Sequence, residues 1–419
     1  MGHAPARRSS AARNAARIRA LNLASARLIT HLRDETGLVQ QPVGAVQGRR
    51  VAVGDRWVVS FASASYLGLE QDARVKRAVC QAVGSWGFSL AMPRLLARDG
   101  ITAELETAIA QFTSQPAALL FPSTTHAALD LLPLLSTPCG AIFLDAWTYP
   151  TNLEGVRAAE RRGARAYRFP HNEASALGSA MRAAANARRK VVVCNGIYPE
   201  GGGAAPLREY AKLADHFGAI LYVDDSHGIG VFGEGAATKE HPYGRGGGGL
   251  LRYLGPLPGH TILVATLSKA LGIPVAFVAG PRSLLKCVQN VSDTFAHSSP
   301  PSMATVAAAL EALRIQAVEG DLRRLWLANL VSRFRSEAGG SDAEISSKGL
   351  FPIQTVHFPS IAETQEAGRF LRGRGIWPVL QFRPPDYPDG GVLRFYITAL
   401  HTASDVERAA RVLAAFRAT

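Results

Sequence analysis

Strand-length apolar runs alternate with helix-length amphipathic stretches through most of the chain, and that alternation restricts the fold more than any other feature. It is the signature of βαβ units around a mostly parallel sheet. Strands are expected at Ala117–Phe121, 141–144, 191–194, 220–223, 262–266 and 275–279, and helices at 101–112, 206–216 and 303–317. From about Leu322 the rhythm changes. Strands near Ile353–Phe358 and 392–398 are interleaved with helices near Ile361–Gly373 and 403–416, which predicts a smaller C-terminal α+β unit. The division expected is an N-terminal helix and arm over 1–60, a large α/β unit over 61–320 and a small unit over 321–419. A chain of 419 residues, 47% of them hydrophobic, is long enough to build both cores. Gly244 to Gly249, broken only by Arg245, reads as a flexible surface loop.

Residues 1–33 are rich in Arg, Ala and Ser and hold no acid, the composition of an organellar transit peptide. Ile18, Leu21, Leu28 and Leu32 recur at helical spacing, which favours a basic amphipathic helix packed on the surface instead. No apolar signal-peptide core and no run of roughly 20 apolar residues is present, so the expectation is a cytoplasmic protein without a membrane span. Cys80, Cys139, Cys194 and Cys287 form no CxxC pair, which argues against a zinc site or a disulfide framework. A net charge of +13 and a pI near 10.0 favour acidic partners such as phosphorylated cofactors, coenzyme A or an acidic carrier protein. The arginines are dispersed and no zinc-finger or RNP-type motif accompanies them, so nucleic acid is not expected.

Two segments carry chemistry. In Leu221-Tyr-Val-Asp224-Asp225-Ser226-His227-Gly228 an apolar strand runs directly into two acids and a histidine. The C-terminal strand edge of an open α/β sheet is where ligands bind, although Asp and Ser also favour ordinary turns. In Thr266-Leu267-Ser268-Lys269 one of only seven lysines ends a strand between small hydroxyl residues. A lysine in a partly desolvated pocket has a depressed pKa and acts as an amine nucleophile toward an aldehyde. Together these residues suit pyridoxal 5'-phosphate (PLP). Asp224 would keep the pyridine nitrogen protonated, Lys269 would form the Schiff base and move the α-proton, and His227 would reach the ring hydroxyl.

Val223-Asp224-Asp225-Ser226-His227, Thr266-Leu267-Ser268-Lys269 and Arg383-Pro384-Pro385 resemble the signatures of the α-oxoamine synthase family, and the similarity runs through nearly the whole chain in order. Tyr66-Leu67-Gly68-Leu69 resembles its YLGL, Leu105-Glu106 its LE, Ala205-Pro206-Leu207 its APL, and Leu393-Arg394 through His401 its closing LR…H element. The resemblance implies a fold-type I PLP transferase of the aspartate-aminotransferase type. It gives Lys269, Asp224 and His227 the roles above and puts Thr266 and the neighbouring Ser268 at the cofactor. Ser123, Thr124 and Thr125, opening a helix, would hold the phosphate, which suits an anion at a helix N-terminus. Arg383 would clamp the amino-acid carboxylate. Phe295 with Pro300-Pro301 resembles a segment contributed across a homodimer.

The departures from the family pattern fall on the substrate side. Tyr149 stands where the family has a ring-stacking histidine, and the SGxxAN segment reads Ser123-Thr124-Thr125-His126-Ala127-Ala128. The FSMDGD segment reads Tyr198-Pro199-Glu200-Gly201-Gly202-Gly203. The activity implied is condensation of an amino acid with an acyl thioester, on coenzyme A or acyl carrier protein, with decarboxylation to an α-amino ketone. Transamination, aldol-type carbon–carbon bond formation and plain decarboxylation are the alternatives within PLP chemistry. An idle subunit of a heterodimer is the alternative outside it, and retention of Lys269, Asp224 and His227 argues against that.

Overall fold

A computed structural model describes residues 31–34, 37–96, 99–201, 203–339, 345, 347, 349–382 and 390–417. The strands, in chain order, are β1 Val43–Gln47, β2 Arg50–Val53, β3 Arg56–Phe61, β4 Ala117–Phe121, β5 Ala141–Asp145, β6 Arg165–Phe169, β7 Lys190–Asn195, β8 Ile197–Tyr198 and β9 Gly203–Ala204, then β10 Ile220–Asp224, β11 His260–Thr266, β12 Ala276–Gly280, β13 Ile353–Phe358, β14 Ile376–Phe382 and β15 Gly391–Tyr396.

Seven of them form the central sheet in the order β4-β12-β11-β10-β7-β5-β6. Only β12 runs against its neighbours. Both faces are buried, which is why the strands read as unbroken apolar runs. Leu221 and Val223 of β10, Val192 of β7 and Leu263 of β11 enter one core with the helices Gly100–Thr113, Leu207–His216 and Met303–Glu337. Tyr222, Val191, Val193 and Ile262 enter the other with Thr124–Ser136, Pro150–Arg161 and Arg282–Val291. The result is a sheet between two helical layers.

A second sheet of six strands has the order β1-β2-β3-β14-β15-β13. Chain-terminal hairpin and C-terminal strands therefore share one sheet, joined where β3 pairs in parallel with β14. Residues 60 and 61 lie within β3, and residues 320 and 321 lie within the 35-residue helix Met303–Glu337. That helix serves the first core through Val306, Leu310 and Leu313 and reaches the second sheet through Phe334, whose ring lies 5.0 Å from Phe395. Residues 31–34 are helical and Leu32 is buried; Ile18, Leu21 and Leu28 lie outside the described residues.

The glycine run expected as a flexible surface loop is instead built into the interior. Gly247, Gly248 and Gly249 are buried. The Leu250 amide donates to Asp225 Oδ2 (2.6 Å), the Gly246 amide to Asp321 Oδ1 (3.0 Å), and Gln316 Nε2 to the Gly246 carbonyl (2.9 Å). Gly249 has φ +100°, and a Cβ there would lie 2.6 Å from Asp225 Oδ2. The glycines allow close packing and left-handed backbone rather than mobility.

Candidate active site

Strand register brings the functional residues to one edge. Asp224 pairs with Asn195 and with Val264, and Thr266 pairs with Ala276, which pairs with Phe121. The ends of β4, β7, β10 and β11 thus lie in a row, with Ser123 just beyond β4 and Lys269 just beyond β11.

Asp224 is buried, and its carboxylate is held on both sides. Oδ1 accepts from the Ser226 amide (3.1 Å) and hydroxyl (2.5 Å), and Oδ2 accepts from Asn152 Nδ2 (3.0 Å). Asn152 is itself fixed by the Tyr222 hydroxyl, which donates to its Oδ1 (3.0 Å). The second acid, Asp225, is turned to the glycine loop, and burial pushes its carboxyl up to about 7. The two adjacent acids therefore divide their duties: Asp224 faces the site and Asp225 pins the loop. His227 is buried with Nδ1 2.8 Å from the Tyr66 hydroxyl. Burial and the nearby charges of Lys269 and Arg394 lower its pKa far below that of a free histidine, so the ring is neutral.

Lys269 is half-buried, with Nζ 5.6 Å from the centroid of the Tyr149 ring. Burial lowers its pKa to about 8, against the pull of Asp224, Glu200 and Asp225. The Thr266 hydroxyl lies 2.9 Å from the Val275 carbonyl and 2.9 Å from Ser268 Oγ, and it accepts from the Ser268 amide (3.1 Å). These bonds shape the turn that carries Lys269. Across the row, Ser123 caps the helix Thr124–Ser136, its Oγ 2.8 Å from His126 Nδ1. The first amides of that helix, those of Thr124 and Thr125, have no partner within it and favour an anion.

A cavity of about 600 Å³ opens beside these residues, walled by Trp147, Tyr149, Leu153, Glu200, Gln381 and Arg394. Tyr149 is fixed through its amide, which donates to Asn195 Oδ1 (3.0 Å), and it opens the helix Pro150–Arg161. Trp147 stacks on His171 with centroids 3.7 Å apart. Buried Asp145 clamps both, accepting from the Trp147 amide (2.8 Å) and lying 2.8 Å from His171 Nδ1. Arg394, buried on β15, has Nη2 3.8 Å from Glu200 Oε1.

The structure thus gathers Lys269, Asp224, His227, Tyr149, Thr266 and Ser268 at one edge, with Ser123, Thr124 and Thr125 along the same row. Arg383 lies outside the described residues. Sequence reasoning missed Asn152, Tyr66, Glu200 and Arg394 as site residues. Tyr66 and Arg394 stood within quoted motifs without a role. For Glu200 the signal was an acid where the FSMDGD pattern has methionine, and Asn152 gave no signal at all.

A family model for aminotransferase class I and II matches residues 57–413. The chain is 35% identical over 379 residues to the 8-amino-7-oxononanoate synthase of Anaeromyxobacter dehalogenans, covering 90% of each chain. It is 32% identical to that of Nitrosococcus oceani over 86% of this chain and 92% of the other. Its backbone matches Sphingomonas wittichii serine palmitoyltransferase with a TM-score of 0.81 at 23% identity, covering 94% and 96% of the two chains, a likeness of fold.

Proposed function

Because the chain belongs to the aminotransferase class I and II family, within its α-oxoamine synthase branch, we propose that it condenses an amino acid with an acyl thioester, releasing CO₂ and an α-amino ketone. The observation that carries this reading is a half-buried amine, Lys269, at a strand end beside a buried carboxylate, Asp224, on the neighbouring parallel strand.

The donor set fits pyridoxal phosphate. It offers an amine for the aldehyde, a carboxylate for the ring nitrogen, a neutral imidazole for the ring hydroxyl and a helix N-terminus for the phosphate. When bound, the cofactor supplies an electron sink for the pair left at the substrate α-carbon. Lys269 holds the aldehyde and, once free, takes the α-proton on Nζ. Its pKa of about 8 leaves a useful fraction unprotonated near neutral pH. Asp224, fixed by Ser226 and Asn152, keeps a proton on the ring nitrogen. His227, fixed by Tyr66, would meet the ring hydroxyl, and Tyr149, whose ring centroid lies 5.6 Å from Lys269 Nζ, would stack on the cofactor ring. Thr266, Ser123, Thr124 and Thr125 would hold the phosphate, with Ser268 beside them at the cofactor. Arg383, with buried Arg394, would bind the substrate carboxylate, for which a planar bidentate donor is suited.

The net charge of +13 favours the acidic carriers on which acyl thioesters arrive, coenzyme A or acyl carrier protein. None of the described helices is long and apolar enough to cross a membrane, and a cytoplasmic location belongs to this reading. A homodimer belongs to it too, with the segment from Phe295 to Pro301 at the interface.

The test is borohydride reduction of the PLP-loaded protein followed by peptide mapping. The pyridoxyl group is expected on Lys269, with Lys269→Ala losing covalent attachment; a label on another lysine would overturn the assignment.

A further inference from the structure

Two side chains in the cavity wall, Glu200 and Arg394, each hold a buried polar atom with no hydrogen-bond partner among the described residues. Glu200 sits on the turn between β8 and β9, and its Oε2 is buried with no hydrogen-bond partner among the described residues. Oε1 is 3.8 Å from Arg394 Nη2, beyond hydrogen-bond range, and Arg394 Nε is likewise buried without a partner. Buried polar atoms are almost always paired, so an orphan acceptor in a cavity wall points to a ligand that completes it. Burial pushes the Glu200 carboxyl up, while Arg394 pulls it down. Trp147, Tyr149 and Leu153 face the same space, which suits an apolar stem ending in a polar group.

We propose that Glu200 selects the amino-acid substrate by accepting a hydrogen bond from a hydroxyl or ammonium on its side chain. This rests on the amino-acid reading above. The α-amino group is engaged at the Lys269 end, and the acyl part of a simple thioester offers only carbonyl oxygen and methylenes. Of the two reacting parts, the amino-acid side chain is therefore the one that can donate. The FSMDGD pattern has methionine at this position, which accepts no comparable bond, so the acid marks a preference particular to this chain. A site built around a buried acceptor rejects an analogue without the donor, because the acceptor is then left unpaired.

The experiment titrates PLP-loaded protein with serine, 2,3-diaminopropionate and alanine, reading dissociation constants from the cofactor absorbance, for wild type, Glu200→Gln and Glu200→Ala. Wild type is expected to bind serine or diaminopropionate roughly tenfold to a hundredfold more tightly than alanine. Glu200→Ala should abolish that preference, and Glu200→Gln should abolish it for the ammonium while keeping part of it for the hydroxyl. Equal affinity for alanine in wild type, or a preference that survives in Glu200→Ala, overturns the proposal and leaves the amino-acid reading standing. Absence of any spectral response to amino acids in wild type overturns both. If circular dichroism shows Glu200→Ala misfolded, Glu200→Gln decides: an unchanged ammonium preference overturns the proposal.

Discussion

Asn152 illustrates how a single residue tunes the site without touching the chemistry. It is fully buried, takes a bond from the Tyr222 hydroxyl and passes one to Asp224 Oδ2. Ser226 holds the other carboxylate oxygen through two bonds. A hydrogen bond to a charged group contributes roughly 1.5–3 kcal/mol. Asn152→Leu, of similar volume, is therefore expected to weaken PLP binding by about tenfold or more, measured by equilibrium dialysis of the loaded protein. It should also change the ratio of the cofactor's absorption bands, because the carboxylate proposed to keep the ring nitrogen protonated is no longer oriented. Unchanged affinity and spectrum in Asn152→Leu would mean that Ser226 alone positions Asp224. Asp224→Asn should go further: it should bind cofactor and lose exchange of the substrate α-hydrogen with solvent deuterium, read by NMR. Exchange at the wild-type rate in Asp224→Asn would remove the ring-nitrogen role from that residue. That Lys269, Asp224 and His227 meet at one sheet edge was legible in the sequence, because two short strand-end segments carry them. Asn152 was not, since its meaning depends on a partner 72 positions away.

At the scale of elements, legibility followed burial. The six central strands expected from apolar runs are all present, because both faces of that sheet are covered and each strand is almost wholly apolar. The edge strand β6, Arg165-Ala-Tyr-Arg-Phe, escaped because arginines interrupt it, and β1 to β3 escaped because their outward residues are polar or exposed. β14 contains Pro378, which argues against a strand; it closes the short parallel ladder with β3 opposite Phe61, and the pairing with β15 begins one residue later at Val379. Helix 303–317 proved to be the first part of the 35-residue Met303–Glu337, which runs on through buried Gly320, a residue that weakens a helix but does not end it here. The hairpin's attachment to the C-terminal strands was invisible, and His401 is one of its ties. Its Nε2 lies 3.1 Å from the Ser60 carbonyl, the Thr398 amide donates to Nδ1 (3.0 Å), and the ring stacks on Phe61 at 4.3 Å. Burial lowers its pKa from 6.5 to about 4. Above pH 6.5 the ring is neutral in both folded and unfolded chains and its contribution to stability is intact. Between pH 6.5 and 4 only the unfolded chain takes the proton, so stability falls with pH, by roughly 3 kcal/mol over the window. Urea melts at pH 7 and pH 4.5 should show this loss in wild type and a visibly smaller one in His401→Asn; equal losses in both would exclude His401 as the cause.

Among the described residues, apolar side chains are exposed on the helix Met303–Glu337, at Val318, Leu322 and Trp326, and again in the segment 86–96, which adjoins the Phe295 region. Phe88 is 69% exposed, Leu95 60% and Leu96 78%, with Trp86 and Met92 beside them. Met92 and Phe295 share a pocket with Pro300 and Met303, so this surface adjoins the segment from Phe295 to Pro301. Arg94, in the middle of the exposed stretch, is turned inward: its guanidinium lies 3.6 Å over the Phe295 ring and donates to the Leu120 carbonyl (2.9 Å). Leu120 lies on β4, the strand that leads to Ser123, where the proposed function puts the cofactor phosphate. A partner covering Phe88 and Leu96 would thus press on a segment tied directly to the cofactor edge. Large contiguous apolar patches on soluble proteins mark interaction surfaces, and a second copy of the same chain is the partner that the family position of this segment favours. Sedimentation velocity is expected to give a dimer in wild type. Phe88→Glu/Leu96→Glu should shift it toward monomer and lower PLP affinity with it, because the phosphate end loses its support. A wild-type monomer at all concentrations would defeat the dimer; a monomeric double variant that keeps full cofactor affinity would instead cut the link between assembly and site.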